Sequence, residues 1–343
     1  MIENPVIKKR VLFIAPRFYN YENELKKEME LQNYIVDLVP YSYATHLLPW
    51  KIRKIKKKIT QERVRIIQLI NNEYFDILFV IKGEILDKDI INEFKIRNPK
   101  AITINYQWDS FANLENFKFD TDLIKYYDFK YSFDHLDCIK YKHWNLQHKP
   151  LFYTEEFKVN EECEALYDFA TVGGMQMKRV NLVKQLQRLL PDYRFKINLR
   201  TTITLNLPFT LIKIGIKPFF QFALLKDLNK KEVADILKKA KVIIDAPQLF
   251  QSGLSMRTIE VLALGRKLIT INSEVQKYDF YNPINCYIMN GFDHLSIKEF
   301  LDSPVERVDE EITKKYSISF FVSSILQNRA VTYLKQDENN FHN

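Results

Sequence analysis

Residues 248–272 read QLFQSGLSMRTIEVLALGRKLITIN: a polar turn runs into an apolar helix, stops at Gly265 and feeds a β-branched strand. Ser252 and Ser255 are good N-cap residues for that helix, and Gly253 lets backbone approach a ligand with no Cβ in the way. The free N–H groups of a helix start carry about half a positive charge, which suits a phosphate. Arg257 adds a full charge and a planar donor fork in the first turn. Glu260, three residues on, projects from the same helix end and is spaced to accept two hydroxyl hydrogen bonds from a ribose.

A second turn of this kind lies upstream in YDFATVGGMQMKR, residues 167–179. Gly173 and Gly174 end a strand pattern at the edge where open α/β sheets bind ligands, and Lys178 and Arg179 follow within one helical turn, ready for phosphate. Either turn alone reads as ordinary turn chemistry. Together they hold Gly173, Gly174, Gly253 and Gly265, four of only seven glycines, and each is followed by cations. A phosphate-bearing ligand is the expectation.

Working outward, short β-branched runs alternate with amphipathic stretches, the pattern of a parallel α/β sheet. RVLFIA, YIVDLV, DILFVIK and AITINY predict four strands in the first half, with DFKYSF and KPLFYT completing that sheet. After a polar stretch over 155–167 the pattern restarts with YDFATVGG, YRFKINL, KVIIDAP, KLITIN and NCYIMN, separated by helices over 176–190, 230–240 and 254–265. The chain therefore predicts two doubly wound Rossmann-like domains, 1–155 and 156–316, with a packing helix and polar tail over 317–343.

Composition narrows the class. Cys138, Cys163 and Cys286 are odd in number and far apart, which excludes a disulfide framework or a CxxC zinc site and fits a reducing cytoplasm. The apolar run Val11–Ala15 is too short for a signal peptide, and the greasy stretch 207–225 is broken by two lysines, a glycine and two prolines. A formal charge of +8 favours anionic partners.

The segment SGLSMRTIEVLALGRKLIT resembles the C-terminal donor-site motif of GT-B glycosyltransferases, in which Glu260 matches the glutamate that binds the donor ribose. Through QSGLSMRTIE, KLITIN, YDFYNPIN and YDFATVGG the likeness is closer to CgeB-like and capsular or lipopolysaccharide-type glycosyltransferases, over most of residues 165–290. The resemblance implies two domains facing across a cleft and a nucleotide-sugar donor, UDP-linked by family habit. It implies a donor site of Gly173, Gly174, Lys178, Arg179 and the run Gln251, Ser252, Gly253, Leu254, Ser255, Arg257, Thr258 and Glu260. Helix dipoles and basic side chains stabilise the leaving diphosphate in such enzymes, Arg257, Lys178 and Arg179 being the candidates for that task here, so neither a metal nor a cofactor is expected. One departure stands out: the retaining pattern carries a second glutamate eight residues before Glu260, where this chain has Ser252.

An inverting reaction needs a base on the first domain, where the acceptor sits in this architecture. Asp109 in NYQWDSFANL follows a strand and lies beside Trp108, which suits sugar stacking. YSFDHLDC offers Asp134, His135 and Asp137, with Asp134 also reading as an N-cap and His135 as a loop histidine. Glu84 ends DILFVIKGE after Lys82 and Gly83, a structural turn in its plainer reading. Asp120 and Asp122 have DxD spacing, yet their polar setting reads as helix capping and not as a metal site.

Six cations crowd residues 51–58, with Ile52, Ile55 and Ile59 at helical spacing and Trp50 at the start. A solvated charged face is one reading. Docking on an anionic membrane surface through Trp50, Arg53, Lys54 and Lys57 is the other, and no nucleic-acid motif accompanies the charge. The expected activity is transfer of a sugar from a nucleotide-sugar to a lipid-linked or growing cell-surface glycan, at the inner face of the plasma membrane. A UDP-sugar epimerase of the same architecture and a catalytically silent scaffold are the rival readings.

Overall fold

The computed structural model describes residues 8–42, 49–112, 121–159, 163–201, 211–212, 214–247, 251–290 and 294–335, with the backbone alone for 49–55 and 294. The chain divides into two compact units: unit 1 comprises 1–149 and 318–331, unit 2 comprises 150–317 and 332–343.

Unit 1 is built on a parallel sheet of β1 (Arg10–Pro16), β2 (Ile35–Tyr41), β3 (Ile77–Ile81), β4 (Ile102–Gln107), β5 (Phe129–Ser132) and β6 (Gln147–His148), in the order β2-β1-β3-β4-β5-β6. Every residue of β3 is buried, as expected of a strand covered on both faces. On one face Leu12, Ile14, Leu78 and Val80 pack with Ile66 and Ile70 of α2 (Pro49–Asn72) and with Ile90, Ile91 and Phe94 of α3 (Lys88–Arg97). Asp87 caps α3 by accepting the Ile90 N–H at 3.0 Å. Helix α1 (Tyr21–Leu31) leaves β1 through Tyr19 and Asn20, both at positive φ. Helix α4 (His135–Lys140) follows β5.

Unit 2 repeats the plan with β7 (Tyr167–Gly174), β8 (Phe195–Arg200), β9 (Ala223–Leu224), β10 (Ala240–Asp245), β11 (Lys267–Thr270) and β12 (Cys286–Ile288), ordered β12-β11-β10-β7-β8-β9. Helices α5 (Met177–Leu189), α6 (Ile216–Phe222), α7 (Lys230–Lys238), α8 (Met256–Ala263), α9 (His294–Asp302) and α10 (Glu310–Lys314) complete it. Phe169, Val242, Ile244 and Ile269 of the sheet pack with Val183 and Leu186 of α5. Strand order reverses between β7 and β10 here, and between β1 and β3 in unit 1. These are the positions where carboxyl ends of strands leave a crevice.

Two expectations are corrected. KPLFYT does not extend the first sheet: the sixth strand is Gln147–His148, and Tyr153 instead bridges Ser317 within unit 2. The C-terminal helix α11 is Ile318–Leu326, only the first part of the 317–343 segment expected to hold the packing helix. It stops because Asn328 adopts φ 48, the left-handed turn that ends helices, and the Arg329 N–H returns to the Ser324 carbonyl at 2.8 Å. Among the described residues no helix is long and apolar enough to cross a membrane.

Candidate functional site

In unit 2 the two glycine-marked turns meet at the switch point. Ser255 caps α8, its Oγ accepting the Thr258 N–H at 3.3 Å. Gly265, at φ 56, ends the helix and turns the chain into β11. The same Ser255 hydroxyl donates to Asp245 at the end of β10, and Thr258 Oγ1 reaches that carboxylate at 3.4 Å. Asp245 is 2% exposed, and its other oxygen takes Arg179 Nη2 at 3.1 Å. Arg179 also donates to the Ala246 carbonyl at 3.2 Å and, through Nη1, to Gly174 O at 2.6 Å.

This packing explains one glycine outright. A Cβ on Gly173 would lie 2.9 Å from Arg179 Nη1, whereas one on Gly174 would meet nothing within 4 Å. Gly173 therefore makes room for the arginine, and Gly174 faces open space.

Arg257 is turned inward as well. Its Nη1 contacts Glu260 Oε2, its Nη2 donates to the Val172 carbonyl at 3.3 Å, and its guanidinium carbon lies 6.0 Å from the Phe157 ring centre. Glu260 is 3% exposed. Lys178 is exposed, Gln251 and Ser252 are half-buried, and Gly253 and Leu254 are buried. Asn272 ties the 252 turn to the end of β11 by donating to the Ser252 carbonyl at 3.0 Å. Three buried polar atoms at this corner, Gln176 Oε1, Arg179 Nε and Arg257 Nε, have no partner among the described residues.

Asp245 and Asn272 are the residues the sequence reading passed over. Their signal was an acid or amide closing a β-branched run, KVIID and KLITIN.

In unit 1 the structure brings Glu84 and Asp109 together on one cation. Lys82 Nζ lies 2.6 Å from Asp109 Oδ2 and 3.0 Å from Glu84 Oε1. Lys82 itself has φ 61, a strained conformation for a residue with a Cβ, and Gly83 follows at φ 102, which glycine adopts freely, just past β3. Asn105 and Gln107 fix it by donating to the Lys82 carbonyl at 3.1 and 2.9 Å, and Tyr41 OH accepts the Gly83 N–H at 3.0 Å while donating to Glu84. A strained conformation persists where surrounding bonds over-determine it, and such places cluster at functional sites. Trp108 is buried, packed 5.7 Å from the Phe18 ring at the end of β1. Phe18 and Tyr19 are about half exposed there.

His135 lies elsewhere in unit 1, 3% exposed and edge-on to His148 at 5.9 Å. Asp134 caps α4 through the Leu136 N–H at 3.1 Å. Asp137 accepts from Phe111 N and Ser132 Oγ, each at 3.0 Å; burial, then the Asp134 charge, pushes its carboxyl up to about 7. Desolvation, reinforced by His135, takes His148 down to about 3.

Asp122 is exposed and pairs with Lys125 at 3.3 Å, while Asp120 lies outside the described residues. Of the basic helix, Lys56, Lys57 and Lys58 on α2 are exposed; the side chains of Trp50, Arg53 and Lys54 lie outside the described residues.

No family model and no curated protein matches this chain. Solved structures do. A sucrose-phosphate synthase from Thermosynechococcus elongatus superposes with a TM-score of 0.61 at 8% identity, covering 94% of this chain and 98% of that one. The lipopolysaccharide outer core galactosyltransferase WaaB gives 0.52 at 12% identity, with 94% and 100% covered. The UDP-GlcNAc 2-epimerase from Methanocaldococcus jannaschii gives 0.52 at 9%, with 93% and 99% covered. This chain is thus an α/β protein of two Rossmann-like domains, with the GT-B fold of those glycosyltransferases and epimerases.

Proposed function

We propose that this chain is a glycosyltransferase that moves a sugar from a nucleotide-sugar, a UDP-sugar in the first instance, to a hydroxyl of a lipid-linked or growing cell-surface glycan. The observation that carries the reading is the meeting of the Gly173–Gly174 turn with the Ser252–Glu260 turn at the switch point of unit 2. The α8 start offers N–H donors to a diphosphate, Lys178 is an exposed cation in the first turn of α5, and Glu260 is the ribose acceptor.

Asp109 is our choice of base. Its carboxylate is the more exposed of the two on Lys82, and Glu84 is also engaged by Tyr41. In the inverting reaction the acceptor oxygen bonds to the anomeric carbon, the bond from that carbon to the diphosphate breaks, and the hydroxyl proton passes to Asp109. Charge on the leaving diphosphate falls to the α8 N–H groups and Lys178, so turnover should continue in excess chelator. The exposed Lys56–Lys58 run supports residence at an anionic membrane face, with the acceptor on the cytoplasmic side.

The test is calorimetry with UDP on the purified chain, wild type and Glu260→Ala, followed by product analysis with UDP-sugars and glycan acceptors. Loss of binding in the variant is expected; equal affinity removes the assignment. The epimerase reading has support of its own in the epimerase neighbour. Incubation with UDP-sugar alone separates the two, since an epimerase alters the donor with no acceptor present.

A further inference from the structure

Arg257 and Glu260 stand about one turn apart at the start of α8, and the arginine is engaged on three sides. One nitrogen meets the Glu260 carboxylate, a second holds the Val172 carbonyl at the end of β7, and the guanidinium faces the Phe157 ring. Only 14% of the Arg257 side chain and 4% of the Glu260 side chain are exposed. A planar fork bound to both the helix and the strand has its direction fixed, and it fixes the carboxylate in turn. An arginine spent on these contacts offers little to a diphosphate arriving from outside.

We propose that Arg257 is a positioning residue for Glu260: it sets the carboxylate that accepts the ribose hydroxyls, so that the site distinguishes a ribonucleotide from its 2′-deoxy counterpart, and it is not the diphosphate ligand. The proposal rests on the nucleotide reading of unit 2. A cis-diol presents two donors in fixed relation, and a carboxylate takes both only when its plane is set. A free glutamate side chain loses rotamer freedom on binding, whereas one already anchored does not. The anchor here reaches β7, so the ribose acceptor is referenced to the sheet and not to the helix alone. The diphosphate is left to the helix N–H groups and Lys178.

The test is calorimetry on the full chain with four probes: UDP, 2′-deoxy-UDP, uridine and 2′-deoxyuridine. Wild type is expected to prefer UDP to 2′-deoxy-UDP by roughly ten- to a hundredfold, the range for a hydrogen bond to a charged acceptor. Arg257→Met is expected to lose most of that preference while its UDP-to-uridine ratio stays the same. Arg257→Lys, which keeps the cation without the fork, recovers part, and carries the test if the methionine variant melts early. Glu260→Gln should match Arg257→Met, and the double variant should lose no more ribose preference than either single one.

Should Arg257→Met keep the ribose preference and lose the UDP-to-uridine ratio, Arg257 is a phosphate ligand and the proposal is wrong. Equal weakening of all four probes marks a structural role and also overturns it. If wild type binds none of the four probes, and neither ADP nor GDP added as controls, the nucleotide reading itself fails and takes the proposal with it. Binding with a ribose preference indifferent to Arg257 removes the proposal alone.

Discussion

Arg179 and Asp245 form a buried ion pair, Nη2 to Oδ1 at 3.1 Å, across the point where the sheet of unit 2 reverses its strand order. The arginine arises from α5 and the aspartate from β10, so the pair locks the first helix of the unit to the neighbouring strand. Through Ser255 and Thr258 the same carboxylate also holds the start of α8.

Removing one partner of a buried pair strands the other, at a cost of about 3–5 kcal/mol. Arg179→Met and Asp245→Asn are each expected to destabilise the chain by that order in a denaturant titration. The double variant should recover part of the loss. Strict additivity in the cycle would mean the two side chains do not share an interaction.

The two neighbouring glycines should separate stability from binding. Gly173→Ala pushes a Cβ against a guanidinium pinned by three hydrogen bonds, and a lower melting temperature is expected, with overpacking of this kind costing about 1–3 kcal/mol. Gly174→Ala meets no atom within 4 Å and should melt like wild type. If ligand backbone or phosphate fills that space, nucleotide affinity falls in this variant without loss of stability.

At the other switch point, Asp109→Asn is expected to lower kcat by about 10²–10⁴, the usual worth of a general base, with UDP affinity unchanged. Glu84→Gln should cost less, because its carboxylate also serves Tyr41 and the strained turn. A larger loss in the Glu84 variant, measured by single-turnover kinetics, would transfer the role.

A pH prediction follows from Asp137. Its folded carboxyl titrates near 7, well above the ordinary value of 3.8. The folded state therefore binds the proton more tightly, and this group's contribution is lost as pH rises from about 4 through 7. Asp137→Asn should be more stable than wild type at pH 8, by up to about 4 kcal/mol, with the gap closing toward pH 4. His148 acts in the opposite sense: held near 3 against an ordinary 6.5, it weakens the fold as pH falls through 6.5 toward 3. The Asp137 variant should expose that acid-side slope undiluted.

Charge reversal of Lys56, Lys57 and Lys58 to Glu should reduce co-sedimentation with anionic vesicles and leave neutral vesicles indifferent, at roughly 1 kcal/mol per cation near the surface. Unchanged partition would assign the run to solvation.

Much of this architecture could be read in advance because parallel strands covered on both faces appear as unbroken apolar runs. RVLFIA, DILFVI and KVIID became β1, β3 and β10 nearly residue for residue. KPLFYT misled for the same reason: its apolar residues are buried, yet it forms no strand of the sheet, and Tyr153 bridges Ser317 instead. Within the donor corner, Gly173, Gly174 and Ser255 were legible as turn and cap chemistry. The direction of Arg179 and Arg257 was not, since a cation following a glycine turn looks the same whether it points at a ligand or at a buried acid, 66 residues away in sequence for Arg179 and three for Arg257. Asp245, the acid that decides the matter for Arg179, carries no local pattern beyond ending a strand.

Helix α11 has a consequence for how the chain is made. Its Phe321 packs edge-on to Tyr106 at 4.9 Å, Asn328 just beyond it accepts from Tyr131 at 2.6 Å, and Gln32 donates to the Ser319 carbonyl at 2.9 Å. The interior of unit 1 is therefore closed by a segment that follows residues 150–317 of unit 2 along the chain. A fragment ending at Lys149 would leave Tyr106 and Tyr131 without these partners, and that surface stays open until residues 150–317 have been made.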